Sequence, residues 1–169
     1  SYEIALGLSV VAVLVVAGNV TLSQVVAVQQ QSVWFVLALT VGFLLFIIAA
    51  LAETNRLPFD LPEAEAELIT GYHTEYSSMK FSMFFIAEYA NVITMSALMS
   101  TLFFGGWDLP FITWDEGEPS VLRWLATLLA FSAKSACFVF TFIWIRWTLP
   151  RFRFDQLMEL GWKIMRRAM

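Results

Sequence analysis

The sequence predicts an all-α, polytopic membrane protein with about four transmembrane helices. Of its 169 residues, 59% are hydrophobic and only 14% are charged, and the mean hydropathy is +0.72. A soluble domain has about 25% charged residues. Four apolar segments approach the roughly 20 residues that a 30 Å hydrocarbon core requires. None of them alternates with a period of two, as the strand of a lipid-facing β-barrel would. We therefore expect a single membrane domain over residues 1–169.

The predicted spans are residues 4–20, 33–52, 81–107 and 121–147. The first is rich in Val and Ala and is short for a span, and the second holds no charged residue. The third contains Glu88, and the fourth has Lys134 near its middle and an arginine near each end. Charges inside a membrane are costly and usually functional, so these two side chains become candidates for function.

The connections between the spans are polar, and one of them is strongly acidic. Residues 18–32 form a short uncharged connection, and residues 105–120 hold four acids without Lys or Arg. Residues 53–76, here called the acidic connection, carry six carboxylates: Glu53, Asp60, Glu63, Glu65, Glu67 and Glu75. After Pro150 the chain is basic and moderately amphipathic, and it is too polar for a fifth span. We expect a C-terminal helix there.

Lys and Arg residues near the ends of the spans predict the orientation, because acids contribute little to it. Arg56 lies near the start of the acidic connection and Lys80 just after its end, and only Arg123 lies near the other side. Six basic residues follow or end the last span: Arg146, Arg151, Arg153, Lys163, Arg166 and Arg167. Both regions are therefore expected on the cytoplasmic or mitochondrial matrix side.

Within the acidic connection, Asp60 and Glu63 have the spacing of a capping box and predict a short helix over residues 61–69. One interpretation is a solvated polar loop. The other is a packed segment, because aromatic and aliphatic residues are interleaved with the acids. Packed carboxylates in a low dielectric have raised and coupled pKa values, which a proton path requires.

Lys134 and Glu88 also allow two interpretations: a functional pair of buried charges, or an ion pair that only holds helices together. We expect Lys134 to face the bundle interior near a compensating carboxylate, with Glu88 the first candidate and Glu3, just before the first span, the second. The single His73 has no second His or Cys nearby, so a metal site is not expected.

Several classes of function are excluded by what the sequence lacks. The single Cys137 rules out an internal disulfide and an iron–sulfur cluster held by this chain alone. There is no Gly-rich dinucleotide fingerprint and no P-loop. With a net charge of −4 and no basic patch, the chain is not expected to bind nucleic acid.

Five motifs distributed from Ser1 to Lys163 resemble one family. They are "SYE", "AETNRLPFDLPEAEAELITGYHTEYSSMKF", "FFIAEYAN", "LFFGGW" and "IRWTLPRFRFDQLM" followed by "WK". Together they are similar to the membrane-embedded H component of NADH:quinone oxidoreductase, which is called subunit 1 in mitochondrial respiratory complex I.

This resemblance implies a non-redox membrane subunit that forms part of the ubiquinone-binding chamber and begins a path of buried carboxylates towards proton-pumping subunits. It places Arg56, Phe59, Asp60, Glu63 and Glu65 in the quinone-chamber loop. It places a larger set in the proton-coupling path: Glu3, Glu53, Glu63, Glu65, Glu67, Glu75, Glu88 and Lys134. It assigns Arg146, Arg151 and Arg153 to the matrix-side support.

No cofactor is expected on this chain alone; ubiquinone is a substrate shared with partner subunits. The implied partners are the quinone-site subunits of the peripheral arm, neighbouring membrane-arm subunits and lipid. Members of the family have further helices before "SYE" and one after "WK". We therefore expect either a split gene, with another chain supplying the N-terminal half, or a fragment. A mitochondrial inner membrane is favoured, with a bacterial plasma membrane as the alternative.

Three other functions remain open. A membrane subunit of a related energy-converting hydrogenase would bind no quinone, and "ETNRLPFDLPEAEAEL" favours the quinone enzyme over it. Half of a secondary ion transporter would need an internal repeat or spans broken by Gly and Pro, and neither is visible. A purely structural anchor would leave the acidic connection and Lys134 unexplained.

Overall fold

The computed structural model describes residues 2–54, 58–59, 77–108, 120–150 and 152–165. Its helices are α1 (Tyr2–Ala17), α2 (Leu22–Gln31), α3 (Phe35–Ala38), α4 (Thr40–Glu53), α5 (Met79–Phe103), α6 (Val121–Thr148) and α7 (Phe154–Glu159). The last continues as a π-helix over Leu160–Met165. No strand occurs in these described ranges.

The predicted class, an all-α polytopic membrane protein, is confirmed. Helices α5 and α6 have 25 and 28 residues and are apolar enough to cross a membrane. At 1.5 Å per residue, α5 alone is about 37 Å long, which exceeds the hydrocarbon core. Helix α4 is apolar but shorter, and α1 with α2 forms a pair bent by 59°. The basic C-terminal segment is helical, as expected.

The structure differs from the expected pattern at two places. The connection at residues 18–32, expected to be a short polar loop, contains α2, which begins after a turn at Gly18 with φ +67°. The second apolar segment is not one helix, because Leu39 (φ −119°, ψ 47°) separates α3 from α4.

The core forms where the helices pair in antiparallel fashion. Helices α1 and α4 meet at Ala5 and Ala49, which are completely or almost completely buried, because small side chains let helix backbones approach closely. Helices α5 and α6 pair through Ser100 and Ser135, whose hydroxyl oxygens are 3.2 Å apart. Phenylalanines fill the space between the pairs: Phe43, Phe46, Phe103, Phe104 and Phe138.

This arrangement gives the bundle two distinct ends. At the acidic end, α1 and α5 begin, and α4 and α6 end. The acidic connection and the C-terminal segment meet there, since Phe152 N donates a hydrogen bond to Pro58 O at 3.1 Å. At the opposite end lie α2, α3 and the turn that follows α5. The predicted common side for the acidic connection and the C-terminal segment thus corresponds to one end of the bundle.

Candidate functional site

The acidic end is built around Phe59, one of the described residues of the acidic connection. The Phe59 ring is 6% exposed and lies between Tyr2 and Phe152, with ring centroids 5.4 and 5.6 Å away. The Tyr2 hydroxyl donates to Leu157 O at 2.8 Å, which ties α1 to the C-terminal segment. Pro58 and Phe59 of the acidic connection are therefore fixed against α1 and the C-terminal segment, and Phe59 with Tyr2 and Phe152 is called the aromatic anchor below.

Between α5 and α6, near the same end, is a groove with a volume of about 270 Å³. Its floor is apolar and includes Val92, Ile93, Val139 and Phe142. Its polar lining comes from three residues near the acidic end: Tyr89, Arg146 and Trp147. The arrangement suits an elongated apolar molecule with a polar group, since its body could lie along the floor and its polar group near Arg146.

A second polar cluster lies at the opposite end, around Lys134. Its ammonium group donates to the carbonyl oxygen of Phe104 at 2.8 Å and to that of Asp108. It also lies 4.7 Å from the centroid of the Trp34 ring. Trp34 Nε1 in turn donates to the Asp108 carboxylate at 3.3 Å.

The expected pairing of Lys134 with Glu88 is not what the structure contains. Sixteen residues of α5 separate Glu88 from Phe104, which amounts to about 24 Å along a helix. Lys134, which is at the middle of α6 in the sequence, therefore lies beside the C-terminal end of α5. Glu3, the second candidate, is exposed in the first turn of α1 at the acidic end.

Gln29 is a buried polar residue that sequence reasoning missed. Its side-chain nitrogen donates to Thr101 O and Leu102 O, each at 3.1 Å. Its side-chain oxygen accepts from Gly105 N at 3.0 Å and from Phe35 N at 3.4 Å. Both donors and both lone pairs of the amide are thus used. The spacing of one turn between Gln29 and the buried Val25 is the signal that could have indicated an inward-facing position.

Comparison with known proteins agrees with the motifs. A family model described as NADH dehydrogenase matches residues 1–168. The chain belongs to this family.

Three relatives show how much of a family member is present. The chain is 50% identical over 165 residues to the NADH-quinone oxidoreductase H 1 subunit of Cytophaga hutchinsonii, covering 98% of this chain and 48% of the relative. NADH-ubiquinone oxidoreductase chain 1 of Chondrus crispus gives the same identity and coverage. NADH-quinone oxidoreductase subunit 8 of Rhodothermus marinus is 50% identical over 172 residues, covering 96% of this chain and 50% of the relative. The chain spans about half the length of these relatives.

Of the site residues expected for a member of the NADH dehydrogenase family, the structure describes five. Phe59 is buried in the aromatic anchor, and Glu3 and Glu53 lie at the acidic end, where Glu53 is half-buried in the last turn of α4. Glu88 is half-buried within α5, and Lys134 is at the opposite end. The other predicted site residues lie outside the described residues: Arg56, Asp60, Glu63, Glu65, Glu67 and Glu75.

Proposed function

We propose that the chain is part of a membrane subunit of proton-pumping NADH:ubiquinone oxidoreductase. In that complex it forms part of the quinone chamber and the first part of the proton-coupling carboxylate path. The observation that carries the proposal is the 50% identity, over 98% of this chain, to the NADH-quinone oxidoreductase H 1 subunit of Cytophaga hutchinsonii. The chain itself acts as a non-redox component, and it works only together with the rest of the complex.

The groove between α5 and α6 supports the quinone part of the proposal. A ubiquinone has an apolar isoprenoid tail and a polar head with two carbonyl oxygens. The floor of the groove is apolar, and Arg146 offers a guanidinium whose N–H groups can donate to such oxygens. Its polar residues, Tyr89, Arg146 and Trp147, lie towards the same end of the bundle as the aromatic anchor around Phe59.

The carboxylates support the proton-coupling part. Glu53 is half-buried at the acidic end, in the last turn of α4, and Glu88 is half-buried within α5. Asp60, Glu63, Glu65, Glu67 and Glu75 lie between them in the sequence, and together these acids are the proposed carboxylate path. Lys134, the remaining residue of the predicted path, makes its contacts at the opposite end of the bundle.

The partners follow from the same proposal. They are quinone-site subunits of the peripheral arm, neighbouring membrane-arm subunits and the polypeptide segments that the relatives have beyond this chain. Helix α6 exposes large apolar side chains over much of its length, including Val121, Leu129 and Trp144. Such a surface needs lipid or neighbouring helices around it. The side of the membrane that faces the acidic end is proposed to be the matrix or cytoplasm.

The quinone proposal is tested by filling the groove. Val139→Trp places a large ring on the groove floor and should raise the quinone KM of the assembled complex. NADH oxidation by an artificial acceptor that takes electrons upstream of quinone should stay unchanged. Val121→Trp is the matched control, because it lies five turns away on the same face of α6 and is 77% exposed. An unchanged quinone KM in an assembled Val139→Trp complex would count against the groove as a quinone site.

The acidic connection is tested through Arg56. Arg56→Lys keeps the charge but removes the planar fork that holds carboxylates in a fixed geometry, so quinone reductase activity should fall. Wild-type activity with both short and long quinones would contradict a role for Arg56. If the complex that contains this chain reduced no quinone and used a hydrogenase instead, the alternative function would be correct.

A further inference from the structure

Lys134 makes three contacts that match the three N–H groups of an ammonium. Two are hydrogen bonds to backbone carbonyl oxygens, those of Phe104 and Asp108. The third is the face of the Trp34 ring, 4.7 Å from Nζ, which attracts a cation through its quadrupole. A lysine ammonium has three donors and no acceptor. A neutral amine would face the same three acceptors with only two N–H groups.

One of the two carbonyls, that of Phe104, lies at a helix terminus that needs such a partner, and the other lies just beyond it. Phe104 is the C-cap residue of α5, and Asp108 lies in the turn that follows. The last carbonyl groups of a helix lack partners within the helix and carry a partial negative charge, so a cation there is stabilising. The described last turn of α5 contains no basic residue of its own. Lys134 supplies the cation from the neighbouring helix.

The same contact fixes how α6 lies along α5. Ser135, the next residue, is 3.2 Å from Ser100 through the two hydroxyl oxygens. Twelve residues further along α6, about 18 Å away, is Arg146 at the groove. A shift of α6 along α5 would break the Lys134 contacts and displace Arg146 together.

We propose that Lys134 is a tethered cation that caps the C-terminal end of α5 and thereby fixes the register of α6. It is a positioning residue and not a carrier in the proton path. Its hydrogen-bond acceptors are backbone carbonyls, which do not take up protons at physiological pH, and the neighbouring Asp108 carboxylate accepts a hydrogen bond from Trp34 Nε1. Among the described acids of the predicted path, Glu88 is about 24 Å away along α5. The cap and the register need only the described helices, whereas the statement about the proton path rests on the proposed function.

The test replaces Lys134 in the assembled complex and reads hydrogen exchange at the end of α5. Lys134→Met keeps similar volume but removes the donors and the charge. Amide exchange at residues 104–108 should become faster by at least about tenfold, because hydrogen bonds to charged groups contribute more than neutral ones. Lys134→Arg keeps a cation with several N–H donors and should retain most of the protection. Lys80→Met is the control, since Lys80 is exposed at the start of α5.

A second measurement separates a positioning residue from a proton carrier. In assembled Lys134→Met complexes, the number of protons translocated per NADH should equal the wild-type value, even where yield or thermal stability falls. A lower ratio would overturn the proposal, and so would unchanged exchange at residues 104–108. If Lys134→Met does not accumulate, recovery of the complex with Lys134→Arg supports the cap, and equal failure of both variants overturns it.

If the quinone proposal were wrong and no pumping could be measured, hydrogen exchange at residues 104–108 would still test whether Lys134 caps α5. The two proposals therefore fail separately.

Discussion

Gln29 provides the sharpest test of how the opposite end of the bundle is held together. Its amide connects α2 to two carbonyls in the last turn of α5, to the turn after α5 and to the start of α3. Gln29→Leu keeps a side chain of similar size but removes every one of these hydrogen bonds. The apolar packing of α2 should survive, so the loss isolates the polar contribution.

The magnitude follows from the contacts. Side-chain hydrogen bonds in membrane bundles contribute about 0.6 kcal/mol on average and about 1.7 kcal/mol at most. A buried donor left without a partner, here Gly105 N, costs about 1 to 3 kcal/mol. Four bonds of 3.0 to 3.4 Å therefore give a loss of about 2 to 4 kcal/mol. At about 1.4 kcal/mol for each factor of ten, local opening should rise roughly thirty-fold to several hundred-fold.

Hydrogen exchange of Gly105 in the purified complex is the direct assay, because its amide donates to Gln29. Gln31→Leu is the matched control, since Gln31 is exposed at the end of the same helix. Unchanged exchange at Gly105 in Gln29→Leu would refute the account of Gln29 as the polar centre of this end. Equal acceleration in both variants would refute it as well, because it would indicate a general effect of added Leu on α2.

Three further predictions concern other parts of the chain. Gly106→Ala should lower the free energy of unfolding by about 1 to 2 kcal/mol and therefore lower the melting temperature. The reason is that Gly106 has φ +54° and an added Cβ would lie 3.2 Å from Val26 Cγ2. Phe59→Ala should make the acidic connection more accessible to proteases, since removing a buried Phe costs about 3 to 5 kcal/mol. The hydrogen bond from Lys163 holds the pKa of Glu159 below its ordinary value. Stability from this pair is therefore present above the ordinary pKa and lost as pH falls through the lowered one. Lys163→Met should return the Glu159 pKa towards its ordinary value in a carboxyl NMR titration.

Each of these has a control and a contradicting result. Gly7→Ala, inside α1 with nothing within 4 Å of its added Cβ, should not lower the melting temperature. An equal decrease in melting temperature for Gly7→Ala and Gly106→Ala would contradict the first prediction. Phe140→Ala, at an exposed ring, should leave proteolysis unchanged. If proteases cleave the acidic connection of Phe59→Ala no faster than that of the wild type, the aromatic anchor does not hold the connection in place. A Glu159 pKa that does not respond to Lys163→Met would contradict the third prediction.

The helices were predictable where the signal is local. A hydrocarbon core selects long uncharged runs, so the spans of α5 and α6 could be located from composition alone. Helix α2 was missed because its sequence, "LSQVVAVQQQ", has neither the length nor the hydropathy of a span. Short helices are stabilised mainly by packing, and α2 obtains its stability from the turn after α5, which is distant in the sequence.

The partner of Lys134 was not predictable for a different reason. A sequence shows the position of a residue along its own helix, but not how far two antiparallel helices are offset. Here the offset brings Lys134 to the end of α5, so backbone carbonyls replace the expected carboxylate of Glu88. Every residue has a backbone carbonyl, so the residue types do not show which carbonyl accepts a hydrogen bond from Lys134. The roles of the acids between Asp60 and Glu75 stay predictions, because those residues lie outside the described ranges.

The bond between the Tyr2 hydroxyl and Leu157 O has a consequence for the order of events during synthesis. The two residues are 155 positions apart, and ribosomes add about 5 to 20 residues per second. Roughly 10 to 30 s therefore pass between the appearance of the first helix and that of its partner. During that interval Phe59 and Ala49 can already pack against α1, but the Tyr2 hydroxyl still lacks its acceptor at Leu157. The last connection between α1 and the C-terminal segment therefore forms late in synthesis, and a chain truncated before Leu157 should leave the Tyr2 hydroxyl without this acceptor.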